Sequence, residues 1–132
     1  MAVPVDGAEP IARFVFRRKG FIPSKRQVRP TEFLPPPDGG ETSVFRVMDL
    51  SEEAIWRLGE EVGKERQKLP KGRAQFVAAG AGRVGLHLDA DDDPPRHANL
   101  VGWPATKPER LTVAQRLAAE CEIHLRSEGN SE

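Results

Sequence analysis

Two stretches of the chain alternate apolar and polar side chains in the way that predicts β-strands. In Ile11–Phe16 the rings of Phe14 and Phe16 share one face of an extended chain. Thr42–Met48 alternates in the same manner, although its sequence is more polar. We therefore predict a first strand over the earlier stretch and a second strand over the later one.

The clearest helix signal follows the second strand. Ser51 has the side chain of an N-cap residue, and the two glutamates after it favour the positive end of a helix dipole. Apolar residues then recur at helical spacing as far as Pro70, which predicts a helix of roughly four turns. Gly59 and Gly63 within it indicate either close approach of another part of the chain or a marginal helix.

The pattern after Pro70 predicts a hairpin and a short strand. Gly72–Ala79 and Val84–Asp89 flank a glycine-rich stretch, which is typical of a β-hairpin. Ala98–Trp103 fits a further strand that ends at Pro104. These segments add three strands to the two already predicted.

A second helix is predicted near the end of the chain. Thr106 and Glu109 have the spacing of a capping box. Six residues then line one helical face over about five turns. They are Leu111, Ala114, Leu117, Ala118, Cys121 and Leu125.

This order of elements predicts an α+β fold. We expect a mostly antiparallel sheet of about four to five strands with two helices packed on one face. A single domain is expected over residues 10–126, between a flexible N-terminus at 1–9 and a flexible C-terminus at 127–132. Residues 17–41 form a long proline-rich loop in this domain, and we expect its apolar residues to hold it against the body of the protein.

Charge and cysteine content narrow the classes of function. The 132 residues include 20 Lys plus Arg and 20 Asp plus Glu, so the chain lacks the basic excess of typical nucleic-acid-binding domains. The single cysteine, Cys121, excludes an internal disulfide and a cysteine-based zinc site, which fits a reducing compartment. With no long apolar run and no signal-peptide pattern, we expect a cytoplasmic protein that binds neither membranes nor a cofactor.

A local basic patch lies in the first loop of this neutral chain. Phe21 is interleaved with its cations, and an aromatic ring beside cations can stack on a nucleic-acid base. Alternatively, the loop is simply solvated and its arginines pair with acidic stretches such as residues 91–93. The basic residues, which we predict to bind a partner, are Arg17, Arg18, Lys19, Lys25, Arg26 and Arg29.

Histidines and aspartates are concentrated between positions 87 and 97. Carboxylates and imidazoles bind divalent metals, and either His87 or His97 could act as a general base. Consecutive aspartates before two prolines are also typical of a solvated turn, and the glycine and glutamate of an EF-hand loop are missing. The candidate metal ligands are His87, Asp89, Asp91 and Asp93.

Prolines stiffen both ends of the segment Pro95–Pro104. A rigid segment loses little entropy when its polar groups bind a ligand, so it suits a binding site. In the structural alternative, Trp103 fills the edge of the core while nearby polar side chains satisfy backbone groups. The candidate binding residues are Arg96, His97, Asn99 and Trp103.

The sequence contains no recognised catalytic constellation. Cys121 lies on the apolar face of the last predicted helix, where a thiol is usually an inert small hydrophobe. Ser24, Ser43 and Ser51 lack the Gly-x-Ser-x-Gly turn that exposes a nucleophilic serine. We therefore assign no catalytic residue.

Four short motifs resemble a pattern shared by small uncharacterised bacterial proteins. The motifs are SVFR at Ser43–Arg46, GRA at Gly72–Ala74, PRHAN at Pro95–Asn99 and WP at Trp103–Pro104. The resemblance extends over residues 13–120. That family has no known activity, so the resemblance implies a bacterial origin and no catalytic residue is transferred from it.

These observations favour a small interaction module rather than an enzyme. We expect it to contact a macromolecular partner through the basic loop and the rigid Pro95–Pro104 segment. A protein partner is favoured over nucleic acid, because the proline-rich Phe33–Pro37 stretch offers a preformed extended surface. One alternative is a small metal-dependent hydrolase or nuclease that uses the histidine and aspartate cluster. Another is a small-molecule binder that uses His97, Asn99 and Trp103.

Overall fold

The computed structural model describes residues 3–36 and 40–126, which form an α+β fold. Among these residues, no helix has the length and apolarity needed to cross a membrane. The strands are β1 (Pro10–Val15), β2 (Phe21–Ile22), β3 (Gln27–Val28), β4 (Thr42–Arg46), β5 (Gly72–Val77), β6 (His87–Ala90), β7 (His97–Val101) and β8 (Glu122–Leu125). The α-helices are α1 (Glu52–Gly63), α2 (Ala78–Arg83) and α3 (Lys107–Ala119). Short 3-10 helices are η1 (Arg18–Gly20), η2 (Pro23–Lys25), η3 (Pro30–Phe33) and η4 (Lys64–Arg66).

Six strands form one antiparallel sheet in the order β6-β7-β4-β1-β5-β8, and β2 and β3 form a separate small hairpin. The large sheet has six strands rather than the predicted four to five, because the end of the last predicted helix instead forms a β-strand. Residues 122–125 pair with β5 as strand β8, and Ile123 lies opposite Ala74 and packs on the core. This pairing outweighs the helical spacing of Cys121 and Leu125, so the prediction of a five-turn helix is wrong.

The predicted hairpin between Gly72–Ala79 and Val84–Asp89 is also wrong. β5 pairs with β1 and β8, whereas β6 pairs with β7 at the opposite edge of the sheet. The alanine-rich stretch between them forms α2, in which Ala78 and Ala81 are buried. Alanine is the strongest helix former, and the chain reverses only afterwards, at Gly85 with φ +87°.

Helices cover both faces of the sheet rather than the single face predicted. Ile11 and Val15 of β1 belong to a core that includes buried residues of α3. Ala12 and Phe14, which point the opposite way, pack with α1 in a second core. Since all four of these β1 side chains are at most 4% exposed, each face needs its own cover.

Ser51 caps α1 as predicted. Its Oγ accepts a hydrogen bond of 3.1 Å from the backbone N–H three residues later. Gly59 and Gly63 mark a close approach, which was one of the two interpretations of their spacing. A Cβ atom at Gly59 would lie 2.7 Å from the ring of Phe14, and one at Gly63 would lie 2.2 Å from the carbonyl oxygen of Lys68.

The proline-rich segment after β1 packs against the body of the protein, as predicted. Its described part contains the β2–β3 hairpin and three 3-10 helices. Phe21, Val28 and Phe33 anchor it, because each is at most 3% exposed and belongs to the α3-side core. The loop is therefore built around three apolar residues that the sequence pattern had identified.

Glu9, in the segment that we predicted to be a flexible N-terminus, is buried and forms an ion pair with β4. Glu9 is 5% exposed, and its carboxylate accepts hydrogen bonds from Nε and Nη2 of Arg46 at 2.5 and 3.0 Å. Arg46 also donates to the carbonyl oxygens of Val3 and Pro4. Parts of the predicted termini and loop lie outside the described residues: 1–2, 37–39 and 127–132.

The junction between β1 and β4 is short. Two residue pairs join these strands, whereas six join β1 to β5. Past the last pair, the side chain of Arg13 bridges the gap. Its Nε donates to the carbonyl oxygen of Glu32 at 3.0 Å and its Nη1 to the carbonyl oxygen of Ser43 at 2.8 Å.

Candidate functional site

The predicted basic loop is exposed, but its aromatic residue is not. Phe21 is 3% exposed and packs in the α3-side core, so it cannot stack on a base. All six predicted cationic residues of the loop are exposed at the surface. The predicted stacking of Phe21 on a nucleic-acid base is therefore wrong.

Three segments that are distant in sequence meet where β1 ends and β5 begins. Lys71 donates its backbone N–H to the carbonyl oxygen of Val15 at 2.8 Å, and Arg126 donates its own to that of Lys71 at 3.0 Å. The guanidinium of Arg66 lies over the ring of Phe16, 5.4 Å from its centroid. We call this surface the basic end. Its cations are Arg17, Arg18, Lys19, Lys25, Arg26, Arg29, Lys64, Arg66, Lys68, Lys71 and Arg126.

Carboxylates neutralise only part of the basic end. Glu32 pairs with Arg17 at 2.8 Å, and Glu60 pairs with Arg126. Within the described residues, six cations of this surface take part in no ion pair: Lys19, Lys25, Arg26, Arg29, Arg66 and Lys68. A local positive field is therefore built into a chain of zero net charge.

Two leucines are exposed among these cations. Leu69, in the connection before β5, is 59% exposed, and Leu125, at the end of β8, is 52% exposed. Both are among the most exposed large apolar side chains of the described residues. The basic end therefore combines positive charge with accessible apolar area.

The Pro95–Pro104 segment does not present its four candidate binding residues on one surface. Arg96 donates from Nη1 to the carbonyl oxygens of Arg46 and Met48, both at 3.2 Å. Trp103 packs on the α3-side core and donates its indole N–H to the carbonyl oxygen of Leu100 at 3.2 Å. Both side chains thus satisfy backbone groups or fill the core, as in the structural alternative to a binding site.

His97 and Asn99 do share a face of the sheet, on the side of α1. His97 lies opposite Phe45 of β4, and the two rings meet edge to face with centroids 5.4 Å apart. Asn99 lies opposite Ser43 of β4 and Asp89 of β6. Directly opposed side chains of antiparallel strands lie on the same face, so these polar groups line one surface.

A hydrogen-bonded chain of three side chains crosses this face. Nε2 of His97 lies 3.0 Å from Oγ of Ser43, and its Nδ1 lies 2.7 Å from Oδ1 of Asp91. His97 is 9% exposed, whereas Ser43 is exposed. The chain therefore runs from a solvent-facing hydroxyl through a nearly buried imidazole to a carboxylate.

The turn between β6 and β7 brings Asp91 to the imidazole. The backbone N–H groups of Asp91 and Asp92 both donate to the carbonyl oxygen of His97, at 3.3 and 3.1 Å. Asp92 and Arg96 adopt left-handed conformations, with φ +56° and +72°, and the N–H of Arg96 donates to Oδ1 of Asp92 at 2.7 Å. Such left-handed residues cost free energy that the surrounding hydrogen bonds offset.

The ionised carboxylate of Asp91 determines which nitrogen of His97 carries the proton. The hydrogen bond from His97 is the main cause that holds the pKa of Asp91 below its usual range, and the backbone N–H of Asp93 acts in the same direction. Ionised Asp91 can only accept, so Nδ1 of His97 carries a proton and donates it. In the neutral imidazole, Nε2 is then the free acceptor for the hydroxyl of Ser43.

Ser43 and His97 line a cleft of about 600 Å³ between the sheet and the end of α1. One part of its lining is apolar and includes Phe14, Phe16 and Phe45, and another part is charged and includes Glu61, Lys64, Glu65 and Arg66. The guanidinium of Arg13, which also contacts the carbonyl oxygen of residue 43, supplies positive charge. A cleft of this size is typical of a small-ligand site.

The predicted metal ligands do not assemble. Among the described residues, no three side chains of histidine, cysteine, aspartate or glutamate are grouped so that they could hold a metal ion. His87 lies opposite Val101, and its ring packs near Gly102 rather than beside His97. Only Asp91 of the candidate ligands contacts His97, and it does so by a hydrogen bond.

Cys121 has the environment expected of an inert thiol. Burial is the main cause that raises its pKa to about 12, and the neighbouring carboxylate of Glu120 adds to the effect. Its Sγ lies 3.3 Å from the carbonyl oxygen of Leu117, in the geometry of a weak donor.

Sequence reasoning found His97 and grouped Asp91 with it only as a candidate metal ligand, and it assigned Ser43 no part in a site. Ser43 lies on a strand rather than in a nucleophile turn, so the motif that we sought is absent. The only available signal was the alternation of β4, which places Ser43 on the same face as Phe45. No family model, curated protein or solved structure matches the chain, so its function has to be inferred from this geometry.

Proposed function

We propose that the protein is an interaction module whose basic end binds a protein segment with alternating acidic and apolar side chains. The observation that supports this is the convergence of cations from residues 17–29, residues 64–71 and Arg126 on one surface. A neutral chain that concentrates its positive charge in this way attracts anionic partners locally.

The exposed leucines favour a protein partner over nucleic acid. Leu69 and Leu125 offer apolar contact area beside the cations, which suits a segment with alternating acidic and apolar side chains. Stacking on single-stranded nucleic acid needs exposed aromatic rings, and Phe21 is buried while Arg66 lies over the ring of Phe16. Charge complementarity and apolar contact thus point to the same kind of partner.

The test uses a fluorescent peptide that alternates glutamate and leucine, with fluorescence anisotropy as the readout. The triple variant Lys19→Glu, Lys25→Glu, Arg26→Glu reverses cations that form no ion pair, so it should leave the fold intact. Each exposed charge contact contributes about 0.2–1 kcal/mol, so we expect roughly tenfold weaker binding. The matched control is Arg116→Glu. This exposed cation lies near the end of α3 that leads into the start of β8, whereas Arg126 follows the other end of β8, so the variant should bind as the wild type does.

The apolar contribution is tested separately. Leu69→Ser with Leu125→Ser should weaken peptide binding without changing its salt dependence, because no charge is altered. Single-stranded RNA of equal charge is the competing probe. Tighter binding of the RNA than of the peptide, or binding of neither at low salt, would show that the proposal is wrong.

A further inference from the structure

We propose that Ser43 is a nucleophile activated by His97, and that the cleft beside α1 hydrolyses carboxylic esters with an apolar acyl group. The cleft borders the basic end, because Lys64 and Arg66 belong to both, but this activity does not depend on the function proposed above. It would make the protein a hydrolase as well as an interaction module.

The first support is the direction of the hydrogen bonds. Ser43 donates its hydroxyl proton toward Nε2 of His97 over 3.0 Å, which is the contact that a general base needs. Asp91 accepts from Nδ1 over 2.7 Å and fixes the tautomer. Asp91 is itself held by the side-chain amide of Asn99 at 3.3 Å and the backbone N–H of Asp93 at 3.1 Å.

The second support is the contrast in burial along the chain of hydrogen bonds. The imidazole is nearly buried and held edge to face against Phe45, so its orientation is fixed. The hydroxyl of Ser43 instead belongs to an exposed residue that opens into the cleft. A serine that only satisfied a buried histidine would not need to face a ligand-sized space.

The cleft also indicates the class of substrate. Phe14, Phe16 and Phe45 form an apolar part of its lining, and we assign the acyl group to this part, so that group is apolar. The guanidinium of Arg13 donates to the carbonyl oxygen of residue 43 and therefore lies beside the reacting residue. It is the group that we assign to the negative charge on the substrate oxygen during attack.

The reaction needs only ester and water. Oγ of Ser43 bonds to the ester carbonyl carbon while its proton passes to Nε2 of His97, and the carbonyl oxygen takes the electron pair. That pair then returns, the bond to the alcohol oxygen breaks, and His97 protonates the departing alcohol. Water next gives a proton to His97 and attacks the acyl carbon, so the carboxylic acid leaves and Ser43 regains its proton. In this scheme Asp91 is a positioning residue.

The experiment is covalent labelling of the full chain with a fluorophosphonate probe, located by peptide mass mapping. We expect one adduct, on Ser43, and hydrolysis of p-nitrophenyl butyrate. Ser43→Ala should lose both, whereas Ser24→Ala, which removes an exposed serine outside the cleft, should keep both. His97→Asn should slow labelling by at least about 100-fold, the usual contribution of a general base.

A second measurement separates chemistry from folding. In Ser43→Cys the imidazole should lower the thiol pKa below that of Ser24→Cys, read from the pH profile of iodoacetamide alkylation. Adding His97→Asn should remove the difference, and adding Asp91→Asn should reduce it. Equal thiol pKa values in the two cysteine variants, or a probe adduct that persists in Ser43→Ala, would overturn the proposal. The triple charge reversal at Lys19, Lys25 and Arg26, which do not line the cleft, should leave labelling unchanged, so the two proposals fail independently.

Discussion

Alanine substitution at three glycines tests whether the packing of α1 is as close as the geometry indicates. Gly59 and Gly63 face other parts of the chain, whereas a Cβ atom at Gly82 of α2 meets nothing within 4 Å. All three lie in helices, where alanine is preferred over glycine by about 1 kcal/mol. The same chemical change therefore meets three different surroundings.

The structure gives the expected order of stabilities. At Gly82 the helix preference acts alone, so alanine should stabilise the protein by about 0.5–1 kcal/mol. At Gly59 the added methyl meets the ring of Phe14 at 2.7 Å and that of Pro70 at 3.1 Å, and overpacking costs about 1–3 kcal/mol. The net result is a loss of about 1 kcal/mol. At Gly63 the obstacle is the backbone carbonyl of Lys68 at 2.2 Å, so the loss should reach about 3 kcal/mol.

Urea unfolding followed by circular dichroism measures these differences. For a small protein, a change of 2 kcal/mol shifts the midpoint by about 1 M urea. The midpoints should fall in the order Gly82→Ala, wild type, Gly59→Ala, Gly63→Ala. A Gly63→Ala midpoint at or above that of the wild type would refute the steric argument. So would a Gly59→Ala gain equal to that of Gly82→Ala.

Two further predictions concern ionisable side chains. The hydrogen bond from Arg46 is the main cause that lowers the pKa of Glu9 in the folded protein. The pair therefore stabilises the fold fully at pH values above the pKa of glutamate in the unfolded chain. This stabilisation is lost as the pH falls through the lower pKa of the folded state. Glu9→Gln should cost roughly 3 kcal/mol at pH 7, because it leaves Arg46 without its counterion, and urea midpoints measured from pH 7 down to 3 should converge with those of the wild type. The thiol of Cys121, with its pKa raised to about 12, should react with a thiol reagent only after urea unfolding, and rapid reaction of the native protein would contradict its burial.

Local signals in the sequence predicted those parts of the fold that depend on neighbouring residues. The cap at Ser51 and the strand at β4 follow from side-chain types within a few positions. The end of the last helix did not, because Leu125 is four residues from Cys121, which suits a helix, and two residues from Ile123, which suits a strand. Pairing with β5 decides between the two, and β5 lies about fifty positions earlier in the chain. Contacts of that range leave no local pattern.

The same limit applies to the candidate sites. Residues 17–29 were recognisable because their six cations lie within 13 positions of the sequence, but the contribution of Lys68 and Arg126 depends on how the strands end. Ser43 and His97 are separated by 54 positions, and only the register between β4 and β7 brings their side chains together. A hydroxyl and an imidazole without a motif look like two ordinary polar residues.

The short junction between β1 and β4 divides the large sheet into two three-stranded halves. At one end of this junction Arg46 of β4 pairs with Glu9, and Val47 donates its backbone N–H to Pro10. At the other end, beside Ser43, the guanidinium of Arg13 joins the two halves. Arginine can hold two carbonyl oxygens at once with a planar group, which the single ammonium of lysine cannot reproduce. Past the last backbone pair, this one side chain therefore joins the two halves beside the cleft, so loss of its hydrogen bonds would free the halves to separate there.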